Sequence, residues 1–129
     1  MKESITYCKS WFWAKKRPTE IWTETQAKRA HEKGGTYTVV IKNNVRPYAI
    51  IVVARNTNFI GVTFLDDFLR SNLSYNFKLI ESDMLFLSMA THRDYDSDKD
   101  EVTFGTTYIF DSDGQVTIRK ESSSSANIE

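Results

Sequence analysis

The sequence predicts an α+β domain in which one curved, mostly antiparallel sheet of six to eight strands carries a single N-terminal helix. Three observations support this fold class. Apolar residues form alternating patterns or short runs from residue 37 to residue 118. Asn, Asp and Gly residues of the kind that form turns separate these runs. The well-marked helix signals are confined to the N-terminal quarter of the chain.

Length and composition predict one domain with an ordinary apolar core. The chain has 129 residues, of which 40% are hydrophobic and 26% charged, and this is a common size for a single domain. We expect the domain to span residues 1–121 and a polar, Ser-rich tail to span residues 122–129. No apolar stretch reaches the roughly 18 residues of a membrane span, and no apolar run follows the first charges, so we expect a cytoplasmic protein.

The N-terminal region predicts a strand followed by a helix. Apolar residues on both parities favour a strand over residues 5–14, which the basic segment ending at Pro18 would terminate. Thr23 and Gln26 have the spacing of a capping box, which predicts a helix over residues 24–33. Gly34 suits the left-handed position that ends a helix.

The remaining strands follow from alternation and turn signals. The apolar run within residues 48–54 predicts a central strand covered on both faces. Asp113-Gly114 suits a two-residue type I′ turn, which would place Ile109 opposite Ile118. We expect a short helical or irregular link over residues 66–73. The predicted strands are residues 37–42, 48–54, 59–65, 74–81, 84–89, 102–110 and 116–118.

Charge is unevenly distributed along the chain. Residues 1–47 contain ten Lys and Arg against four Asp and Glu, a net charge of +6, whereas residues 48–129 contain seven against thirteen, a net charge of −6. One interpretation is that the chain binds a charged partner. The other is that the two regions neutralise each other across the folded surface.

Residues that could catalyse a reaction or bind a metal are few. His31 lies where a histidine complements the negative end of the predicted helix, and His92 precedes Asp94 at the end of a strand. Cys8 is the only cysteine, so no internal disulfide can form, and we expect it to be a small core residue. We therefore predict no catalytic residue, no metal site and no cofactor, and we expect that the protein is not an enzyme.

An acidic segment is the most unusual feature of the sequence. Its alternating Asp residues suggest a calcium loop, but Lys99 stands where the sharp-turn Gly belongs and Gly105 where the bidentate Glu belongs. A solvated hairpin loop explains the segment equally well. The functional interpretation is an acidic patch that docks to a basic groove, with an aromatic anchor at its centre. The candidate binding residues are Asp94, Tyr95, Asp96, Asp98, Asp100 and Glu101.

A second segment, near the N-terminus, interleaves aromatic and basic residues. This pattern is typical of proteins that stack bases and contact phosphates in single-stranded nucleic acid. Two Trp residues in a strand are more often core, and the chain has no overall basic excess. The candidate residues for this alternative function are Trp11, Trp13, Lys15, Lys16 and Arg17.

The acidic strand connection and the closing segment Thr107-Tyr108-Ile109-Phe110-Asp111-Ser112-Asp113-Gly114-Gln115-Val116-Thr117-Ile118-Arg119-Lys120-Glu121 resemble bacterial immunity proteins of contact-dependent inhibition and related polymorphic toxin systems. The resemblance implies a stoichiometric inhibitor that binds and neutralises a cognate toxin, and many such toxins are nucleases. Two alternatives stay open, namely a single-stranded nucleic-acid-binding module and a small-ligand-binding barrel or enzyme with a scattered site. The oligomeric state also stays open.

Overall fold

A computed structural model describes residues 3–81, 83–96 and 99–122 of the chain. Ser122, the first residue of the predicted polar tail, is the last residue of the final strand. The rest of the predicted tail lies outside the described residues.

The described residues form eleven strands, one α-helix and one short 3-10 turn. The helix α1 is Glu24–Glu32 and the 3-10 turn is Arg55–Thr57. The strands are β1 (Glu3–Cys8), β2 (Trp11–Phe12), β3 (Arg17–Pro18), β4 (Ile21–Trp22), β5 (Thr36–Asn43), β6 (Arg46–Ala54), β7 (Phe59–Leu65), β8 (Ser71–Ile80), β9 (Met84–Tyr95), β10 (Val102–Phe110) and β11 (Val116–Ser122).

The main sheet is antiparallel, as predicted, and its strand order is β11-β10-β9-β8-β7-β6-β5-β1-β4. Strands β5 to β11 form a continuous meander in which each strand pairs with the next. Among the described residues the sheet has nine strands, so the prediction of six to eight is wrong. The additional strand is β4, which pairs with β1 through Trp22 opposite Tyr7 and Ile21 opposite Cys8.

The predicted strand over residues 5–14 is interrupted. Strand β1 ends at Cys8, and the chain then forms a separate two-stranded hairpin, here called the N-terminal hairpin, from β2 and β3. Lys16 adopts a positive φ of 55° in its turn. The backbone of Lys9 donates to the carbonyl of Glu20 at 2.8 Å and closes the base of the hairpin. This long-range return could not be inferred from local alternation.

Helix α1 begins with the predicted capping box. The backbone N–H of Gln26 donates to the Thr23 side chain at 3.1 Å, and the Thr23 N–H donates back to the Gln26 side chain at 2.8 Å. Gly34 has the expected positive φ of 75°. The helix contacts β1, β4 and β5 at one end of the sheet and buries only Ala27. Within the described part of the chain, no helix has the length and apolar character that crossing a bilayer requires.

The core lies on one face of the sheet, here called the core face. Cys8, Trp11, Val40 and Ile50 form its buried cluster, with Val52 and Leu65 packed against it. The opposite face, here called the open face, keeps exposed apolar residues such as Tyr108 and Ile118, which pair across β10 and β11. Strand β6 lies in the interior of the sheet, as predicted. The predicted burial on both faces is seen only at Ala49 and Ile50, and residues 51–54 are partly exposed.

The closing hairpin has a longer turn than predicted. The Asp111 carboxylate accepts hydrogen bonds from the N–H groups of Asp113 and Gln115, at 2.9 and 3.1 Å, so the connection spans residues 111–115. Tyr108 therefore lies opposite Ile118, and Ile109 lies opposite Thr117. The expected pairing of Ile109 with Ile118 is wrong because the turn does not have two residues.

Candidate functional site

The acidic segment lies at one end of strands β9 and β10. Strand β9 continues six residues beyond its predicted end at residue 89, because it pairs with β8 and β10 along its length, as in Leu73 opposite His92 and Val102 opposite Tyr95. Residues 96–101 connect β9 to β10. We use the name acidic edge for Asp94, Asp96, Asp100 and Glu101, and the fifth candidate carboxylate, Asp98, lies outside the described residues.

The acidic edge presents its carboxylates to solvent. The Asp94 and Asp100 side chains keep 55% and 62% of their surface exposed, and Asp96 and Glu101 are also exposed. His92 lies beside Asp94, with Nε2 3.8 Å from Oδ1. Asp94, Asp96 and Glu101 are therefore available to a partner.

Tyr95 points away from the acidic edge and has an internal structural role. Its hydroxyl donates to the carbonyl oxygen of Ser71 at 2.7 Å, and the Arg70 guanidinium lies 4.3 Å from the centre of its ring. Burial raises the pKa of the Tyr95 hydroxyl above its usual value. An aromatic anchor for a partner must be free to enter a pocket, so Tyr95 does not suit the role that the sequence suggested for it.

Arg70 links the acidic edge to the body of the sheet. It is only 8% exposed, and its Nε donates to the Asp66 carboxylate at 2.9 Å. Its Nη1 donates to the carbonyl oxygen of Lys99 in the β9–β10 connection. Its guanidinium also lies 4.9 Å from the ring centre of Phe68. The buried Arg70 guanidinium thus holds the β9–β10 connection against the sheet.

The Asp66 carboxylate is positioned to bind the Arg70 guanidinium. Its Oδ1 accepts from the N–H groups of Phe68 and Arg70, at 2.9 and 3.0 Å, while its Oδ2 faces the Arg70 guanidinium. Burial alone would raise the pKa of Asp66, but these N–H groups and the guanidinium outweigh burial and lower it. The predicted link over residues 66–73 is therefore an irregular turn organised by one carboxylate, and β8 begins at Ser71.

The N-terminal hairpin contacts the acidic edge through Lys16. Lys16 donates from Nζ to Asp100 Oδ1 at 3.0 Å and to the carbonyl oxygen of Phe68 at 2.9 Å. A second ion pair, between Arg46 and Asp67 at 2.9 Å, also joins the basic and the acidic region of the sequence. Part of the charge asymmetry is therefore neutralised within the fold.

The candidate nucleic-acid residues do not form one continuous surface. Trp11 is buried in the core cluster, and Lys16 is paired with Asp100. Trp13 is partly exposed and packs edge-to-face on Trp11, with 6.2 Å between ring centres and 76° between planes. Lys15 and Arg17 are exposed. The core interpretation of the aromatic residues is thus confirmed for Trp11 and not for Trp13.

Phe104 is a feature of this region that sequence reasoning missed. It is partly exposed and lies directly opposite Asp94 on the neighbouring strand, on the open face. An irregularity between Val102 and Phe104 places Val102 opposite Tyr95 instead. Strict alternation along a strand would put Val102 and Phe104 on one face. Only the extra residue in β10, which has no signal in the sequence, separates them.

The other candidate residues lie elsewhere. His31 donates or accepts through Nδ1 to the Tyr37 hydroxyl at 2.9 Å, between two hollows of about 230 and 200 Å³ beside helix α1. His92 lines neither of these hollows. Cys8 is buried, and burial raises the pKa of its thiol above the usual value. Among the described residues, no three His, Cys, Asp or Glu side chains are grouped so as to hold a metal ion.

Comparison with protein families, curated proteins and solved structures found no match to this chain.

Proposed function

We propose that this chain is an immunity-type protein that binds a basic toxin in the cytoplasm and neutralises it in a one-to-one complex. The observation that carries the proposal is the acidic edge, where four exposed carboxylates lie at the end of β9 and on the connection that follows it, which Lys16 and the buried Arg70 contact. Carboxylates in such an array can stand in for nucleic-acid phosphates in the groove of a nuclease. The protein itself makes and breaks no bonds in this proposal.

Pre-ordering of the acidic edge supports a binding role. A surface that is fixed before it meets its partner loses less conformational entropy on docking. Arg70 holds the carbonyl of Lys99, Lys16 holds Asp100, and the Thr103 hydroxyl donates to the carbonyl of Asp94 at 3.2 Å. These contacts anchor the backbone on both sides of the connection, while the outer carboxylates stay exposed.

The surroundings of the acidic edge have the composition of a protein interface. Phe104 lies opposite Asp94 and supplies a partly exposed aromatic ring beside the carboxylates. Interfaces commonly combine a central apolar anchor with a charged rim that guides encounter. In this proposal Phe104 takes the anchoring role that the sequence suggested for Tyr95, and Asp94, Asp96 and Glu101 form the rim.

The test is a growth assay with the product of the neighbouring reading frame as the toxin. Expression of that product alone should stop growth, and co-expression of this chain should restore it with formation of a one-to-one complex. The variant Asp94→Asn/Asp96→Asn/Glu101→Gln should weaken rescue because it removes three rim charges. Asp100 is left unchanged so that Lys16 keeps its partner.

A matched control separates local charge from total charge. The variant Glu32→Gln/Asp83→Asn/Asp113→Asn changes the net charge by the same amount at three exposed positions in α1 and in two turns. We expect it to rescue growth as well as the unchanged chain does. Equal rescue by both triple variants would show that the acidic edge is not needed for neutralisation. Absence of any rescue and of any complex would contradict the proposed function.

A further inference from the structure

A cavity on the core face has features that the proposed function does not use. It has a volume of about 250 Å³ and lies between the N-terminal hairpin and strands β5 to β8. Trp11 and Trp13 line its hairpin side, and Ile50 and Val52 line its sheet side. An apolar cavity of about 150 Å³ accommodates benzene, so this one has room for a somewhat larger planar ring.

Gly61 lets the ring of Phe59 lie close to the sheet at the floor of the cavity. Val52, Gly61 and Asn76 are consecutive partners across β6, β7 and β8. A Cβ on Gly61 would lie 3.0 and 3.1 Å from two ring atoms of Phe59 and 3.7 Å from Asn76 Oδ1. The absence of a side chain at Gly61 therefore lets an aromatic ring and an amide approach the same point.

The aromatic side chains suit a planar ligand. Trp13 is partly exposed at the cavity and is held edge-to-face against the buried Trp11, so its orientation is fixed by packing. Phe59 lines the cavity as well. Stacking of a base on an aromatic side chain contributes substantially to single-stranded nucleic-acid binding, because every base has a flat π-face.

Within the described chain, one polar side chain that lines the cavity has only a weak hydrogen-bond partner, and a buried indole N–H of a second lining residue has none. Among the described residues, the Asn76 side chain has one hydrogen-bond partner, the Met89 sulfur, at 3.7 Å, and a thioether is a weak acceptor. The Trp11 indole N–H has no acceptor within the same part of the chain. An amide offers a donor and an acceptor side by side, which is the pattern that reads the edge of a nucleobase.

The charges of the residues that line the cavity limit the chemical class of the ligand further. Lys9 lines the cavity and is exposed, and none of the lining residues is acidic. A hydroxyl-rich sugar would lack carboxylate acceptors here, whereas a planar ring that carries an anion would meet both the aromatic walls and Lys9. We propose that this cavity binds the base of a single nucleotide, with the phosphate of that nucleotide towards Lys9. This site takes one base, and it does not need the strand-binding surface that the sequence offered as an alternative function.

The direct experiment is calorimetric titration of the full chain with AMP, CMP, GMP and UMP. We expect saturable binding of at least one nucleotide, and about tenfold weaker binding by Trp13→Ala because a stacking wall is lost. Phe12→Ala is the matched control, since Phe12 is 43% exposed and Trp13 46% in the same hairpin, but Phe12 does not line the cavity. No saturation by about 5 mM of any nucleotide, or equal effects of the two variants, would overturn the proposal.

A second variant tests the phosphate end of the site without disturbing the fold. Lys9→Gln should weaken the binding of AMP severalfold and leave the affinity for adenosine unchanged, because only AMP carries the anion that Lys9 would contact. An equal loss for both ligands would contradict this placement. Single-stranded RNA distinguishes the source of the base, since a hexamer that binds more than about tenfold tighter than AMP indicates a strand, and equal affinity indicates a free nucleotide.

Discussion

Replacement of Arg70 by Met tests whether a buried cation holds the acidic edge in place. The substitution keeps a long side chain but removes the charge that contacts Asp66, Tyr95 and the Lys99 carbonyl. Breaking a buried ion pair by removing one partner destabilises proteins by about 3–5 kcal/mol. Asp66 retains two backbone N–H donors and is partly exposed, so we expect a loss of about 2–3 kcal/mol.

The fold offers a matched control with the same chemistry at the surface. Arg46 and Asp67 form an ion pair of the same length, 2.9 Å, but Arg46 is 54% exposed where Arg70 is 8%. Arg46→Met should therefore lower the free energy of unfolding by no more than about 0.5 kcal/mol. Both variants are compared with the unchanged chain by urea denaturation, where about 2–3 kcal/mol shifts the midpoint by roughly 1–2 M.

The pH dependence provides a second readout of the same contact. Because the pKa of Asp66 is lowered in the folded state, its stabilisation is complete above the pKa of an unfolded Asp, about 3.9, and is lost as the pH falls through the lower folded value. The stability difference between the unchanged chain and Arg70→Met should be constant from about pH 5 to 8 and should narrow below about pH 4. The reasoning would be refuted if Arg70→Met lost no more stability than Arg46→Met, or if the stability difference between the unchanged chain and Arg70→Met stayed constant below about pH 4.

Two further predictions concern the core face. Ile50→Ala should lower the free energy of unfolding by about 2–5 kcal/mol, because Ile50 is fully buried in the core cluster. Ile118→Ala, on the exposed side of β11, should change it by less than about 0.5 kcal/mol. Equal denaturation midpoints for the two variants would contradict this prediction. Cys8 is buried and its thiol pKa is raised first of all by burial, so it should react with a disulfide reagent at least about a hundredfold more slowly in the native than in the denatured protein; a rapid native reaction would show that the hairpin does not cover it.

Local signals in the sequence were sufficient for much of the fold. The strand Phe59–Leu65 matches its predicted bounds, and the capping box at Thr23 marks the start of α1. Both features depend on residues that are close in sequence. The order of the meander follows for the same reason, because each of β5 to β11 pairs with its neighbour along the chain.

The role of Tyr95 could not be predicted because it depends on distant contacts. Alternation separates Tyr95 from Asp94, but it does not say which face of β9 is covered. Tyr95 is covered by Arg70, 25 residues earlier in the sequence. Lys16 pairs with Asp100 across 84 residues, so the acidic edge also depends on a distant contact. The same limitation explains why the sequence could not assign one face to Phe104, since the irregularity in β10 leaves no mark in its composition.

The rate at which this chain associates with the proposed toxin, measured by stopped-flow fluorescence from low to physiological salt, tests the central claim most directly. The account predicts that Asp94→Asn/Asp96→Asn/Glu101→Gln slows association about tenfold at low salt and flattens its salt dependence, while Glu32→Gln/Asp83→Asn/Asp113→Asn changes neither. Identical rates and salt slopes for the two triple variants would contradict the claim that the acidic edge guides binding.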